Sequence, residues 1–274
     1  MDFNAIHDTA RSIAHQAGAV LLRYYNQPHQ ENTKNTAVDI VTEADTASEA
    51  VITAALREAF PDHHIVGEEG GGMGAPAQTA EYFWYVDPLD GTTNYANNLP
   101  IFSVSMALAG RDGRPLVGVV YNPVMNEMFS AIRGQGATLN GKPLRVSAKS
   151  TLRESVLASG FPYDKATDPD NNLNRWNAFL VRTRGMRRFG SAALDLCYVA
   201  VGRFEGYWEG KMNRWDVLAG MLCVTEAGGR ISDYSGDESD TLYSGKQVIA
   251  SNGLIHDQML AVIQEVGEPL RLGL

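Results

Sequence analysis

The sequence predicts a two-lobed protein, an α+β N-terminal lobe built on an antiparallel sheet followed by an α/β C-terminal lobe. Three observations carry that expectation. Residues 103–145 read as short strands punctuated by the hairpin dipeptides Asp112-Gly113 and Asn140-Gly141. From about Ser147 onward, strand-like runs alternate with apolar patterns of helix length. A chain of 274 residues is also long enough for two cores of ordinary size. The expected boundary gives lobes of residues 1–147 and 148–274.

In chain order, apolar residues at helical spacing predict a helix from about Asp2 to Tyr25, then a polar loop "NTKNTAVDIVTEAD" leading into a short strand. A second helix is expected from near Asp45, with Ala47, Val51, Ala54, Ala55 and Phe60 on one face and Pro61 as its stop. The runs "HHIVGEE" and "FWYVDP" read as strands. The "GGGMGAPAQTAE" between them lacks the Gly-Lys-Ser/Thr ending of a phosphate loop, so a mobile surface connection is expected. "SVSMALAG", "PLVGVVYNP" and "EMFSAIRGQGATLNGKPL" form the expected meander. Beyond it come a strand "SVLASGFP", a helix over about 172–182, a short strand "RRFG", a helix over about 191–201 and a strand "GYWEG". A helix over about 215–227, strands "RISDY" and "QVIASN" and a terminal helix complete the lobe.

Composition narrows the function classes. Hydrophobic content of 44% with 20% charged residues and no low-complexity tract is globular rather than disordered. The N-terminus has an acidic second residue where a signal peptide needs a basic start, and no apolar run reaches membrane-spanning length, so a soluble, cytoplasmic protein without a membrane partner is expected. Cys197 and Cys223 stand in apolar helical patterns with no second cysteine close by in sequence, which predicts buried free thiols. A net charge of −9 argues against a general nucleic-acid surface. The local cluster Arg182, Arg184, Arg187 and Arg188 reads as a solvated strand edge or a subunit contact. A phosphate ligand would then need bound metal to supply positive charge.

The stretch "YVDPLDGTTNY" places Asp87 and Asp90 three apart around Pro88, at the end of an apolar strand. Folded back by the proline, both carboxylates and the Leu89 carbonyl can address one spot, a donor set suited to magnesium. Asp-Pro-x-Asp-Gly is also an ordinary turn sequence. The sequel Gly91-Thr92-Thr93-Asn94 adds a tight turn with N–H groups and an expected N-cap hydroxyl, a place to hold an anion. Glu68 and Glu69 end another strand, and Asp216 opens a helix. Taken singly, Glu69 is compatible with a solvated acid and Asp216 with a first-turn acid.

Together, "GEE" at 67–69, "VDPLDGTTNY" at 86–95, "GSAALDLCYVAVGR" at 190–203 and "WDVLAG" at 215–220 resemble the inositol monophosphatase family of magnesium-dependent, lithium-sensitive phosphatases, in the family's order and over essentially the whole chain. The resemblance implies a layered αβαβα sandwich of the sugar-phosphatase type with two or three Mg²⁺ ions. It implies that Glu68, Asp87 and the Leu89 carbonyl bind one metal and Asp87, Asp90 and Asp216 a second. Thr92, hydrogen-bonded to Asp45, would orient and deprotonate the attacking water, while the N–H groups of Gly91 and Thr92 hold the phosphate. Asp90, Ala192 and Glu209 would contact the alcohol's hydroxyls, Glu209 standing at the inositol-type spacing from Asp216. Lys34 and Asp39 match a mobile loop that closes on the site. Leu218 departs from the family, which usually has a small residue there.

The expected activity is hydrolysis of inositol 1-phosphate, with related polyol or sugar phosphates, by a homodimeric enzyme acting on a small phosphate monoester. A 3'-phosphoadenosine nucleotidase, a histidinol phosphatase and a fructose 1,6-bisphosphatase of the same fold remain open. So does a protein- or RNA-binding regulator that uses the basic strand edge, with catalysis secondary.

Overall fold

The computed structural model describes residues 1–27, 32–33 and 40–266. The predicted Lys34 and Asp39 lie outside them. Helix α1 (Phe3–Tyr24) starts where the Asp2 side chain accepts hydrogen bonds from the N–H groups of Asn4 and Ala5, and it buries Ile6, Ala10, Ile13, Ala14, Ala17 and Leu21 on one stripe. Two short strands, β1 (Asn32–Thr33) and β2 (Ile40–Val41), pair antiparallel. Helix α2 (Glu43–Ala59) opens on a capping box between Thr42 and Asp45.

An eight-stranded sheet follows, in the order β10-β9-β8-β7-β6-β5-β3-β4. Its members are β3 (His64–Gly67), β4 (Gly71–Gly74), β5 (Tyr82–Asp90), β6 (Ser103–Gly110), β7 (Pro115–Asn122), β8 (Glu127–Ile132), β9 (Gly136–Leu139) and β10 (Lys142–Pro143). All neighbours are antiparallel except β3 and β5. Both expected hairpins form, with Gly113, Asn140 and Gly141 at positive φ. The connection expected at "GGGMG" is instead the edge strand β4. Its glycines offer β3 only backbone hydrogen bonds, so no side-chain pattern announces the strand.

The second sheet has five strands, ordered β12-β11-β13-β15-β14. It comprises β11 (Val156–Ser159), β12 (Gly185–Arg187), β13 (Gly206–Gly210), β14 (Arg230–Ser232) and β15 (Gln247–Ser251). Strand β12 begins two residues before the expected "RRFG" and ends at Arg187, because its register is set by parallel pairing with β11. The basic cluster flanks this edge strand, as read from the sequence. Helices α4 (Leu173–Leu180), α5 (Ala192–Ala200), α6 (Arg214–Glu226) and α8 (His256–Glu265) match the expected helices, and two short ones, α3 (Thr92–Ala96) and α7 (Asp240–Tyr243), were not anticipated. At four or five residues, neither spans enough turns to show a periodicity.

Three cores define the layers. Helices α1 and α2 pack on one face of the large sheet through Ile13, Leu21, Ile52 and Leu56 against Trp84, Val104 and Val119. Helices α5 and α6 lie between the sheets, joining Val120 and Phe129 to Tyr207 and Val248. Helices α4 and α8 cover the far side through Phe179 and Met259 against Trp208 of β13. This is the αβαβα sandwich. The middle helices carry almost no amphipathic signature, since α5 is buried over its whole length. Cys197 and Cys223, buried and free, face each other across that layer, so the second thiol absent nearby in sequence is supplied by the fold. Among the described residues no helix is long and apolar enough to cross a membrane.

Candidate active site

Strand β5 sends Trp84 and Val86 toward α1 and α2 and Tyr85 toward α5 and α6. On a regular strand, Asp87 and Asp90, three apart, would face opposite sides. The register shifts between them, however: Asp87 pairs with Ser105 and Asp90 with Ser103, leaving one extra residue on β5. That bulge turns both carboxylates to the α5/α6 side, which the sequence reading had attributed to Pro88 alone. Glu68 follows β3, the parallel neighbour, with its N–H bonded to the Val86 carbonyl at 3.1 Å. Asp216 arrives from the N-terminal turn of α6, where its Oδ2 accepts the Asn213 N–H at 2.7 Å.

These four acids feel one another. Burial pushes the Asp87 carboxyl well above the ordinary range, reinforced by the charges of Glu68, Asp90 and Asp216 and by a hydrogen bond with Glu68. Asp216 is raised well above it by burial and then by Glu68. Asp90 rises only to about 6, because burial is offset by its hydrogen bonds. Its Oδ2 accepts from the Ser191 hydroxyl at 2.6 Å and the Ala193 N–H at 2.9 Å, and its Oδ1 from the Ala192 N–H at 3.2 Å. Asp90 therefore caps α5 from another sheet. Among the described residues, no group of three acidic, histidine or cysteine side chains stands in metal-holding geometry.

Gly91 is the N-cap of α3 and no side-chain hydroxyl caps that helix, contrary to the sequence expectation. Its φ of 100° favours glycine, and a Cβ there would press on the carbonyls of Ile101 and Gly190. The Thr92 hydroxyl turns back instead, 3.1 Å from both Asp45 Oδ1 and the Leu89 carbonyl. Asp45 is buried, and its Oδ2 accepts from the Thr42 N–H at 2.9 Å and the Thr42 hydroxyl at 2.7 Å. The capping box of α2 thus orients the carboxylate that meets Thr92. The Ser48 hydroxyl holds the Pro88 carbonyl at 2.9 Å, and Asn94 Nδ2 joins the Ile101 and Phe189 carbonyls across the layers.

On the opposite wall, Glu209 stands one residue before the end of β13 in a buried position, its Oε2 accepting from the Tyr207 hydroxyl at 2.6 Å. Burial lifts its pKa to about 7, against the lowering effects of Tyr207 and Arg188. Its carboxylate rests on Gly160, where any Cβ would collide with it. Asp195, on α5, is raised well above its usual range by burial and then by Glu209.

Hydrogen bonds thus join Thr92 to Asp45 and Leu89, and Asp90 to Ala192, while Glu68, Asp87, Asp90, Glu209 and Asp216 are linked through the effects of their charges on one another. Leu218 sits in the core between the sheets while Asp216 keeps its capping hydrogen bond, so the larger residue is absorbed away from the acids. Sequence reasoning missed the groups that aim these side chains: Thr42, Ser48, Gly160, Ser191, Ala193 and Tyr207. Only Thr42 carried a signal, through its spacing to Asp45. Ser191 reads as a helix cap, yet its hydroxyl serves Asp90.

The family model described as the inositol monophosphatase family matches residues 3–268. The chain belongs to the inositol monophosphatase family. Among relatives, it is 45% identical over 230 residues to the Nus factor SuhB of Pseudomonas aeruginosa, covering 83% of this chain and 84% of that one. It is 43% identical over 243 residues to the inositol-1-monophosphatase of Synechocystis, covering 89% and 83%. The inositol monophosphatase of Anabaena superposes with a TM-score of 0.88 at 42% identity, covering 98% of this chain and 99% of that one. As an inositol monophosphatase family member the chain has a phosphatase fold. Its relatives carry two kinds of name, which leaves substrate and regulatory role to be argued from the site.

Proposed function

We propose that the protein is a magnesium-dependent phosphomonoesterase that hydrolyses inositol 1-phosphate and related polyol phosphates. The observation that carries this reading is the convergence of Glu68, Asp87, Asp90 and Asp216, where burial first and the neighbouring acids second raise the pKa values of the aspartates. A wholly oxygen donor set of this charge fits magnesium. Glu68, Asp87 and the Leu89 carbonyl would hold one ion, and Asp87, Asp90 and Asp216 another. When bound, the ions supply charge neutralisation and a more acidic water.

The remaining work falls to the chain's own groups. The Thr92 hydroxyl, donating to Asp45, keeps its lone pairs for a water and offers a route for that water's proton. The N–H groups of Gly91 and Thr92 hold phosphate oxygens at the start of α3. Glu209 and Asp90, with the Ala192 backbone, address the alcohol's hydroxyls. We place the protein in the cytoplasm as a homodimer, a state that sedimentation at twice the chain mass would establish.

The test is a phosphate-release panel, with and without magnesium, over inositol 1-phosphate, fructose 1,6-bisphosphate, histidinol phosphate and 3'-phosphoadenosine nucleotides. The reading requires inositol 1-phosphate to have the highest kcat/KM. A second reading, a regulator contacting protein or RNA through the basic edge of β12, is favoured by the names of the SuhB relatives. Absence of hydrolysis across the whole panel would leave that one standing.

Glu209→Gln should lower kcat/KM for inositol 1-phosphate about 10- to 100-fold, the worth of a charged hydrogen bond, and that for p-nitrophenyl phosphate far less. Equal losses on both esters would count against a polyol pocket. Lithium chloride should depress turnover at saturating substrate, lithium replacing magnesium between Asp87, Asp90 and Asp216. Potassium chloride at the same ionic strength is the control, and identical curves for the two salts would refute that assignment.

A further inference from the structure

Lys211 adopts φ 62°, a left-handed backbone conformation that lysine rarely takes. Its N–H is held by the Lys246 carbonyl at 2.9 Å. Its amine reaches two carboxylates of one loop, Asp164 at 2.9 Å and Asp168 at 2.8 Å. The tip of that loop is a turn in which the N–H groups of Thr167 and Asp168 both bond the Asp164 carbonyl at 2.9 Å, presenting the two acids side by side.

The base of the same loop is closed by Asn172. Its Nδ2 bonds the Gly160 carbonyl at 2.6 Å and the Ser159 hydroxyl at 2.8 Å, while its Oδ1 accepts from Trp208 Nε1 at 2.8 Å. Phe161 packs on Trp176 with ring centroids 5.3 Å apart. The loop therefore leaves the sheet at Gly160, the residue on which the Glu209 carboxylate rests, and is tied back to Lys211, two residues beyond Glu209. Both attachments straddle Glu209.

We propose that Lys211 is a positioning residue for alcohol binding: by gripping Asp164 and Asp168 it holds residues 161–170 as a fixed wall beside Glu209, on the side of the pocket that receives the polyol. The inference rests on the reading of Glu209 as part of the alcohol pocket. A strained lysine persists here because glycine, which would relax the backbone, has no amine to make the tie.

Lys211→Gly separates the two roles, since it removes the tie while relieving the backbone. Melting temperature should hold or rise. KM for inositol 1-phosphate should increase about 3- to 10-fold with kcat within about twofold, and KM for p-nitrophenyl phosphate should change by less than about twofold. Lys211→Arg should restore most of the loss, and Asp164→Asn with Asp168→Asn should reproduce it without adding to Lys211→Gly. Trypsin should cut after Lys165 several-fold faster in Lys211→Gly, an independent readout of the tie. An unchanged KM for inositol 1-phosphate, or equal shifts on both esters, overturns the proposal. If Glu209→Gln still discriminates between the esters, only the tie has failed; if Glu209→Gln does not, or no polyol phosphate is turned over, the pocket reading fails and takes the tie with it.

Discussion

Asp216→Asn is expected to hydrolyse inositol 1-phosphate at least about a hundredfold more slowly than the parent chain, as loss of one preorganised electrostatic contributor to a charged transition state does. This position is the cleanest test of the acid cluster. An asparagine can still accept the Asn213 N–H that Asp216 accepts at 2.7 Å, so the start of α6 stays formed. Asp90 is a poorer probe, because its carboxylate also takes three hydrogen bonds from the start of α5. Loss of activity on Asp90→Asn would mix a charge effect with a capping effect of about 1 kcal/mol. Steady-state rates with circular dichroism as the control decide the matter. Near-normal turnover in folded Asp216→Asn would remove Asp216 from the proposed site.

Chelation is expected to abolish hydrolysis and magnesium to restore it, and the same ions should stabilise the fold. At a hundred times its dissociation constant a ligand contributes about 2.7 kcal/mol, which in a chain of this size raises Tm by roughly 5–10 °C. Asp216→Asn should shrink that increment. The pH dependence has a definite sign. Asp90 and Glu209 have folded-state pKa values raised to about 6 and about 7, so folding favours their protonated forms. Their contribution to stability is full below the ordinary carboxylate range and is lost as pH rises through those values. Without metal, Tm should therefore fall between about pH 4 and 7, and saturating magnesium should flatten the slope. Full turnover in excess chelator, or a Tm indifferent to magnesium, would contradict the proposed chemistry.

Much of this was legible in the chain, and the reasons are local. The stripe of α1 and the hairpins at Gly113 and Asn140-Gly141 each follow from residues within a few positions of one another. The motif from Asp87 to Asn94, with Glu68 and Asp216, named the site through a resemblance that the match over residues 3–268 bears out at the level of family. The edge strand β4 and the short helices α3 and α7 escaped, since none carries a side-chain period of its own.

What the sequence by itself determined is therefore which carboxylates, threonine and glycine the molecule has to work with, and which local elements present them. Tertiary structure decided how they are aimed. The extra residue in the β5–β6 register brings Asp87 and Asp90 to one side, Ser191 and the Ala192 and Ala193 N–H groups hold Asp90, and Gly160 makes room for Glu209. Each of these joins residues far apart in the chain through backbone pairing or close packing. Such partnerships depend on how sheets and helices stack, and a run of consecutive residues leaves no trace of them.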